Sequence, residues 1–113
     1  MPLLPFAEKA NIPIRKLLEY SLNESHEEGK NKAYVFKLLL GFTKRNAEDL
    51  KALILNAVLS NEATEGKIDR FGRRCSVDFQ VEKEDRTVFI RTGWIIKTGE
   101  IYPILTTCFI LKN

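Results

Sequence analysis

Apolar residues recur at helical spacing through the first half of the chain. A short first helix is predicted from Pro13, a residue suited to a first helical turn. A second helix is predicted over residues 30–40, followed by Gly41 as a left-handed cap. The third helix has the clearest pattern, because Asn46 provides an N-cap and apolar residues then follow on one helical face. These apolar residues are Leu50, Leu53, Ile54, Ala57 and Val58.

The second half of the chain alternates apolar and polar residues. From Cys75 to Val81 every second residue is apolar, which predicts a half-buried antiparallel strand. Three further strands are expected on similar grounds, joined by short polar turns. The four predicted strands cover residues 67–71, 75–82, 87–96 and 102–111.

These elements predict an α+β domain in which three N-terminal helices pack on one face of a four-stranded antiparallel meander sheet. A chain of 113 residues can bury one modest core and has little room for a second domain. We therefore expect a single domain over residues 1–113. Its parts are an N-terminal extension at 1–12, a helical half at 13–61 and a sheet at 66–111.

The positions of the turns predict which residues face one another across the sheet. A two-residue turn at 84–85 sets the pairing of the second and third strands. A turn with its tip at 98–99 then places Thr92 opposite Leu105. On the face away from the helices these registers align a polar row across three strands. The row consists of Asp78, Arg91 and Thr106.

This polar row has two interpretations. As a solvated cross-strand ion pair, Asp78 and Arg91 would contribute about 0.2–1 kcal/mol. Alternatively, Arg91 binds a phosphate, because its planar guanidinium matches phosphate oxygens and the Thr106 hydroxyl adds a hydrogen bond. The sequence leaves both interpretations open.

Composition and processing signals limit the class of protein and the compartment in which we expect it. Apolar residues are 44% and charged residues 29%, which excludes a disordered or fibrous chain. There is no signal-like start and no apolar stretch of bilayer length, so we expect a cytoplasmic protein that contacts no membrane. Cys75 and Cys108 are predicted on opposite sheet faces, and hence as reduced thiols. One histidine and two cysteines argue against a zinc site, and no cofactor is expected.

Basic residues gather around the predicted first hairpin and the second helix, although the formal net charge is only +3. They form either a solvated surface or, together with Arg91, a stripe that binds an RNA or DNA backbone. The phenylalanines fall mostly at core positions, so no stacking platform is predicted. The predicted nucleic-acid-binding residues are Lys30, Lys67, Arg70, Arg73 and Arg74.

The single histidine, His26, lies in a polar loop before the second helix and is either a plain surface residue or a general acid or base. The chain has no Gly-flanked serine and no Gly-rich phosphate loop. The candidate residues of the chain suit general acid–base catalysis in which cations stabilise a phosphate. That is the chemistry of a metal-independent ribonuclease, in which a 2′-hydroxyl attacks the adjacent phosphate. The predicted catalytic residues are His26, Lys32, Arg91, Thr106 and Asp78.

Six short segments, in this order and spacing, resemble a bacterial domain family. The family occurs as small stand-alone proteins and at the C-terminal ends of polymorphic-toxin and phage-derived proteins. The resemblance covers roughly residues 14–110. The segments are Leu18–Asn23, His26–Ala33 leading to Phe36, Leu39–Gly41, Asn46–Leu50, Arg91–Trp94 and Pro103–Thr107.

That family is similar in layout to the barnase/EndoU/colicin/RelE-like group of ribonuclease toxins. The resemblance implies an RNA-cleaving toxin paired with a cognate antitoxin. Ile104 stands where the family usually has a basic residue. The predicted register puts Thr92, Trp94 and Thr107 on the buried face, which favours core roles for those three. The polar family positions that carry over are His26, Lys32, Thr92, Trp94 and Thr107.

A non-catalytic protein-binding module is the alternative hypothesis, for example the antitoxin or immunity half of such a pair. The last strand is apolar on both faces, which fits burial against a partner, including a second copy in a homodimer. A ribonuclease needs His26 or Lys32 within reach of Arg91. A binding module needs an exposed apolar patch or a free sheet edge.

Overall fold

Helices fill the first half of the chain and strands the second, as the two periodicities predict. The structure is a computed structural model that describes residues 2–25 and 30–111. The fold class is confirmed: three helices and a four-stranded antiparallel meander form an α+β domain. The helices are α1 (Ile14–Lys16, continued by a π-helical turn over Leu17–Ser21), α2 (Lys30–Leu40) and α3 (Ala47–Ala57). The strands are β1 (Ala63–Asp69), β2 (Gly72–Lys83), β3 (Arg86–Lys97) and β4 (Ile104–Ile110).

The helix ends follow local chemistry. Gly41 has φ +74°, the left-handed conformation that a glycine adopts without strain, and α2 ends before it. Asn46 lies at the N-cap position of α3, but its side chain serves the preceding turn. Its Oδ1 accepts the Thr43 N–H at 2.7 Å, and the Thr43 hydroxyl accepts the Arg45 N–H. The predicted cap residue therefore fixes the entry to α3 through Thr43.

The register of β2 and β3 confirms the two-residue turn. Lys83 pairs with Arg86, and Asp78 pairs with Arg91. Glu84 adopts φ +56° in this turn. Because the turn is this short, side chains alternate cleanly between the two sheet faces along both strands.

The register of β3 and β4 differs from the prediction. Thr92 faces Cys108 rather than Leu105, and Phe109 takes the place opposite Arg91. The connection between the strands runs over residues 98–103, longer than the predicted turn. A β-bulge opposite Gly93 adds one residue to β4 as well, and the pairing shifts there. Thr106 is consequently not in the row of Asp78 and Arg91.

The bulge also corrects the prediction for the cysteines. An inserted residue reverses the face of every later side chain in a strand. Cys108 therefore lies on the helix-covered face together with Cys75, and both are buried. Both thiols are free. Burial raises the pKa of Cys108 to about 12, against a smaller lowering by Lys32.

The core lies between the helices and one sheet face. Phe36 of α2, Leu50 and Ile54 of α3, and Ile90 and Trp94 of β3 are almost fully buried in it. Within the described residues, no helix has the length and apolar character needed to cross a membrane.

The segment before α1 packs on this core as well. Leu4 and Ile12 are buried at 2% and 1% exposure. The Asn11 N–H donates to the Pro103 carbonyl, and the Leu105 N–H donates to the Asn11 carbonyl. Asn11 thus lies along the start of β4, so this part of the outer edge of β4 is already paired.

Candidate functional site

The sheet face away from the helices, here called the open face, carries the polar row. On β2 and β3 the buried residues alternate with partly exposed ones, and the partly exposed set points to this face. Because β2, β3 and β4 are neighbours in the sheet, side chains from three strands meet there. The open-face residues used below are Ser76, Asp78, Phe89, Arg91, Gly93, Thr106, Thr107 and Phe109.

Asp78 and Arg91 form a two-pronged ion pair on the open face. Arg91 Nε and Nη2 each donate to one carboxylate oxygen of Asp78, both at 2.8 Å. The hydrogen bonds to Asp78, and its charge, raise the pKa of Arg91 further above its ordinary value. The guanidinium is thereby fixed in orientation, and its Nη1 group has no partner among the described residues. An anion approaching from solvent would meet these remaining N–H groups.

Two phenylalanines flank Arg91. Phe109 lies directly across from it on β4, and Phe89 precedes it by two residues on the same face of β3. Phe89 is 40% exposed. The sequence predicts no stacking platform, although the two-residue spacing of Phe89 and Arg91 on β3 places both side chains on one sheet face. That spacing was the signal that could have placed Phe89 beside Arg91.

Lys32 reaches the same place from α2. Its Nζ lies 4.7 Å from the centroid of the Phe109 ring, a cation–π contact. Arg91 is the cross-strand partner of that phenylalanine. Neighbouring side chains in such a pair are about 5 Å apart at Cβ. Phe109 at the edge strand β4 thus contacts a cation of α2 and is the cross-strand partner of a cation of β3.

Thr106 and Thr107 converge over Gly93. A Cβ placed on Gly93 would lie 2.8 Å from Thr107 Cγ2 and 3.1 Å from Thr106 Oγ1, so a larger residue here would force a threonine side chain to move. Two residues that face the same partner are what a bulge produces. The prediction that Thr107 is buried on the helix side is wrong for this reason. Both threonines lie on the open face, one row away from Arg91.

Thr92 and Trp94 have core roles. The Trp94 indole N–H donates to the Thr92 hydroxyl at 2.8 Å, and this hydroxyl donates to the Val77 carbonyl at 2.8 Å. Both side chains are buried on the helix side of the sheet. Their polar groups are fully used inside the protein, so they are not available to a ligand.

The remaining predicted catalytic position is His26, which lies outside the described residues, as does the side chain of Lys30. Among the others, the structure brings Asp78 and Arg91 into contact and places Lys32 one ring away. Thr106 lies beside Gly93, one row away from the predicted position next to Arg91.

The basic residues of the β1–β2 hairpin lie among carboxylates. Arg74 contacts Asp69 at 2.9 Å, Lys67 contacts the same carboxylate at 3.7 Å, and Arg73 contacts Glu65 at 3.1 Å. Burial acts to raise the pKa of Asp69, but the Phe71 N–H, Arg74 and Lys67 lower it overall. Ion pairs of this kind offset the positive charge that a phosphate would otherwise meet.

Arg70 is the one predicted hairpin cation without an ion pair to a described residue. Its guanidinium stacks over the Phe71 ring, 4.8 Å from the centroid. Across residues 2–25 and 30–111, no three His, Cys, Asp or Glu side chains gather into a metal-holding group.

The fold and the open face define a small α+β domain whose sheet presents cations, hydroxyl groups and aromatic rings on one side. The chain belongs to the family described as a domain of unknown function, DUF6883, whose model matches residues 3–112. No curated protein and no solved structure gives a significant match.

Proposed function

We propose that this protein is a small cytoplasmic RNA-cleaving toxin, a metal-independent endoribonuclease that works with a cognate antitoxin. One observation carries the proposal: Lys32 Nζ of α2 lies 4.7 Å from the ring of Phe109, and the cross-strand partner of Phe109 is Arg91 of β3. Two cations from separate elements, linked through one aromatic residue, suit the binding of a phosphate whose charge increases during reaction.

Each residue has a role in this scheme. Arg91, oriented by Asp78, binds the scissile phosphate with its outward N–H groups, and Lys32 stabilises the charge that develops on it. His26, six positions before Lys32 in sequence, serves as general acid or base. A base takes the proton of the 2′-hydroxyl, whose oxygen attacks phosphorus. The bond to the 5′-oxygen breaks, and an acid protonates that oxygen.

The aromatic rings favour RNA with unpaired bases. Single-stranded RNA is commonly held by stacking of its bases on aromatic side chains, at about 1–3 kcal/mol for each base. Phe89 and Phe109 flank Arg91 on the same face, so a base could stack while the adjoining phosphate meets the guanidinium. The Thr106 hydroxyl, one row away, would help to orient the strand.

The proposal is tested with purified protein and a labelled single-stranded RNA in the presence of EDTA. We expect cleavage that leaves 2′,3′-cyclic phosphate ends. Arg91→Ala should lower the rate by about 100-fold or more, the usual cost of removing a group that stabilises developing charge. Lys32→Ala should lower it as well, whereas Arg15→Ala, an exposed cation on α1, should not. Soluble wild-type protein that leaves the RNA intact would overturn the proposal.

Induced expression gives a second test. Growth arrest with RNA breakdown is expected for the wild type and is expected to be lost in His26→Ala and in Arg91→Ala. Harmless expression of soluble wild-type protein contradicts the toxin assignment.

The edge strand β1 favours a second candidate, a non-catalytic protein-binding module such as an antitoxin or immunity protein. Ile68 on this strand is 69% exposed, and Phe71 in the following turn is 57% exposed. Such an edge can add a strand from a partner. This candidate predicts intact RNA and a partner complex that Ile68→Glu disrupts. A homodimer through β4 belongs to the same candidate and would use the edge beyond Leu105, since Asn11 covers the start.

A further inference from the structure

Two clefts meet at the C-terminal half of α2, away from the polar row. One, of about 510 Å³, lies between α2, the segment after the π-helical turn and the turn before α3. The other, of about 210 Å³, lies between α2 and the β2–β3 hairpin. Lys37 lines both, so the two clefts are neighbours on one surface. The charged residues lining them are Glu24, Lys37, Lys44, Arg45, Lys83, Glu84 and Arg86.

The charge of this surface is strongly positive. Among the described residues, five cations and two carboxylates line the clefts. Such a concentration produces a local field that attracts anions.

The cations here are less neutralised than those of the β1–β2 hairpin. Lys44, Arg45 and Arg86 are exposed and form no ion pair with any described residue. Lys37 and Glu24 are 3.5 Å apart, and both side chains are more than half exposed, so their attraction is weak. An anion can replace that contact at little cost.

We propose that these two clefts bind the phosphate backbone of the single-stranded RNA on one side of the cleaved position. The inference rests on the proposed function and names the surface that holds the flanking strand. Lys32 and Lys37 are five residues apart on α2, about 7.5 Å along its axis and about 140° around it. A strand that leaves Phe109 and passes round α2 toward its C-terminal end would reach the clefts.

The lining favours a nucleic-acid backbone over an acidic peptide. Basic side chains stand on both sides of Lys37, which suits a chain of regularly repeated phosphates. Specific peptide recognition uses pockets for individual side chains. Among the described residues that line the larger cleft, one is apolar, Leu22, so this lining offers little surface for an apolar side chain of a peptide.

The test uses a labelled single-stranded DNA oligonucleotide, which lacks the 2′-hydroxyl and cannot be cleaved by the proposed reaction. Its affinity is measured by fluorescence anisotropy over a series of salt concentrations. In the triple variant Lys44→Ala, Arg45→Ala, Arg86→Ala, we expect affinity at low salt to fall at least tenfold. The slope of log affinity against log salt should decrease by about two, because each phosphate that the protein no longer neutralises lowers it by about 0.7.

A charge-matched control is the triple variant Lys9→Ala, Arg15→Ala, Lys97→Ala, which removes three exposed cations that line neither cleft. It should bind with the slope of the wild type. Circular dichroism should give the same melting temperature for both triple variants, because all six side chains are exposed. Lys83 is left unchanged because its Nζ donates to the Leu40 carbonyl.

Failure of this inference differs from failure of the proposed function. The inference is overturned if the cleft variant keeps the salt dependence of the wild type. It is also overturned if the control variant loses as much affinity as the cleft variant, or if the wild type does not bind the oligonucleotide. Competition by poly-glutamate at lower concentration than by unlabelled oligonucleotide also overturns it, in favour of an acidic protein partner. DNA binding that depends on the clefts, without any RNA cleavage, upholds the phosphate contacts and removes the catalytic assignment.

Discussion

The Thr92 hydroxyl links two strands inside the core by accepting from Trp94 and donating to β2. It accepts the Trp94 indole N–H at 2.8 Å and donates to the Val77 carbonyl at the same distance. Thr92 is 0% exposed and Trp94 is 1% exposed. One buried hydroxyl therefore satisfies two polar groups that water cannot reach, and it fixes the orientation of the indole.

Thr92→Val should destabilise the fold although it preserves shape. The substitution leaves the Trp94 N–H unsatisfied in the core, at a cost of about 1–3 kcal/mol. Urea denaturation followed by tryptophan fluorescence measures this cost, since Trp94 is the single tryptophan. Thr92→Ser keeps the hydroxyl and should retain the wild-type emission maximum of the folded state. Equal stability of Thr92→Val and the wild type would show that this hydrogen bond contributes nothing net.

Gly93→Ala should destabilise the sheet through a contact with β4. The added Cβ would lie 2.8 Å from Thr107 Cγ2, and forced contacts in a packed region cost about 1–3 kcal/mol. Thr107→Ser removes that methyl group. The double variant should therefore recover part of the loss, which a double-mutant cycle on unfolding free energies would measure. Additive effects would mean that the two side chains do not meet.

The sequence predicted the sheet well only where a short turn set the register. A two-residue turn at Glu84 and Asp85 sets one register for the two strands. The pairing of Asp78 with Arg91 could therefore be predicted by counting residues away from the turn. The alternation of apolar and polar residues does not indicate the longer connection before β4 or the bulge at Thr106. One inserted residue was enough to misplace both Cys108 and Thr107.

The sequence indicated which residues could belong to a site better than it indicated which side chains lie beside them. Arg91 was identified from its place in an alternating strand, but Phe109 came beside it only through the shifted register. The basic hairpin residues were equally visible in sequence. The sequence did not show that carboxylates neutralise these cations, because the contact of Arg73 with Glu65 depends on strand pairing across the hairpin.

Cys108 should remain protonated and unreactive in the folded protein. Burial raises its pKa from 9.0 to about 12, so the nucleophilic thiolate is scarce at mildly alkaline pH. A thiol-reactive disulfide reagent should label it slowly without denaturant and rapidly in urea. Labelling of Cys75→Ala isolates Cys108. Equally fast labelling with and without urea would contradict its burial.

Cys108 should also make stability depend on pH. The folded state keeps this proton until the pH approaches 12, whereas the unfolded chain releases it above 9.0. The stabilisation is therefore complete below 9.0 and declines as the pH rises, by up to about 1.4 kcal/mol for each pH unit. In Cys108→Ala the unfolding free energy should fall less steeply above 9.0. The same slope in both proteins would contradict the raised pKa.

Lys83→Met should weaken the end of α2. Lys83 Nζ donates to the Leu40 carbonyl at 2.9 Å and places a positive charge at the negative end of the helix dipole. Methionine keeps the apolar stem and removes both contributions, which should lower the unfolding free energy by about 0.5–1.5 kcal/mol. Hydrogen exchange should increase for the last turn of α2. Lys9→Met removes an exposed lysine that has no side-chain partner among the described residues, so it should change stability by less than about 0.5 kcal/mol. If the two variants proved equally stable, the contact with Leu40 would contribute nothing to the helix end.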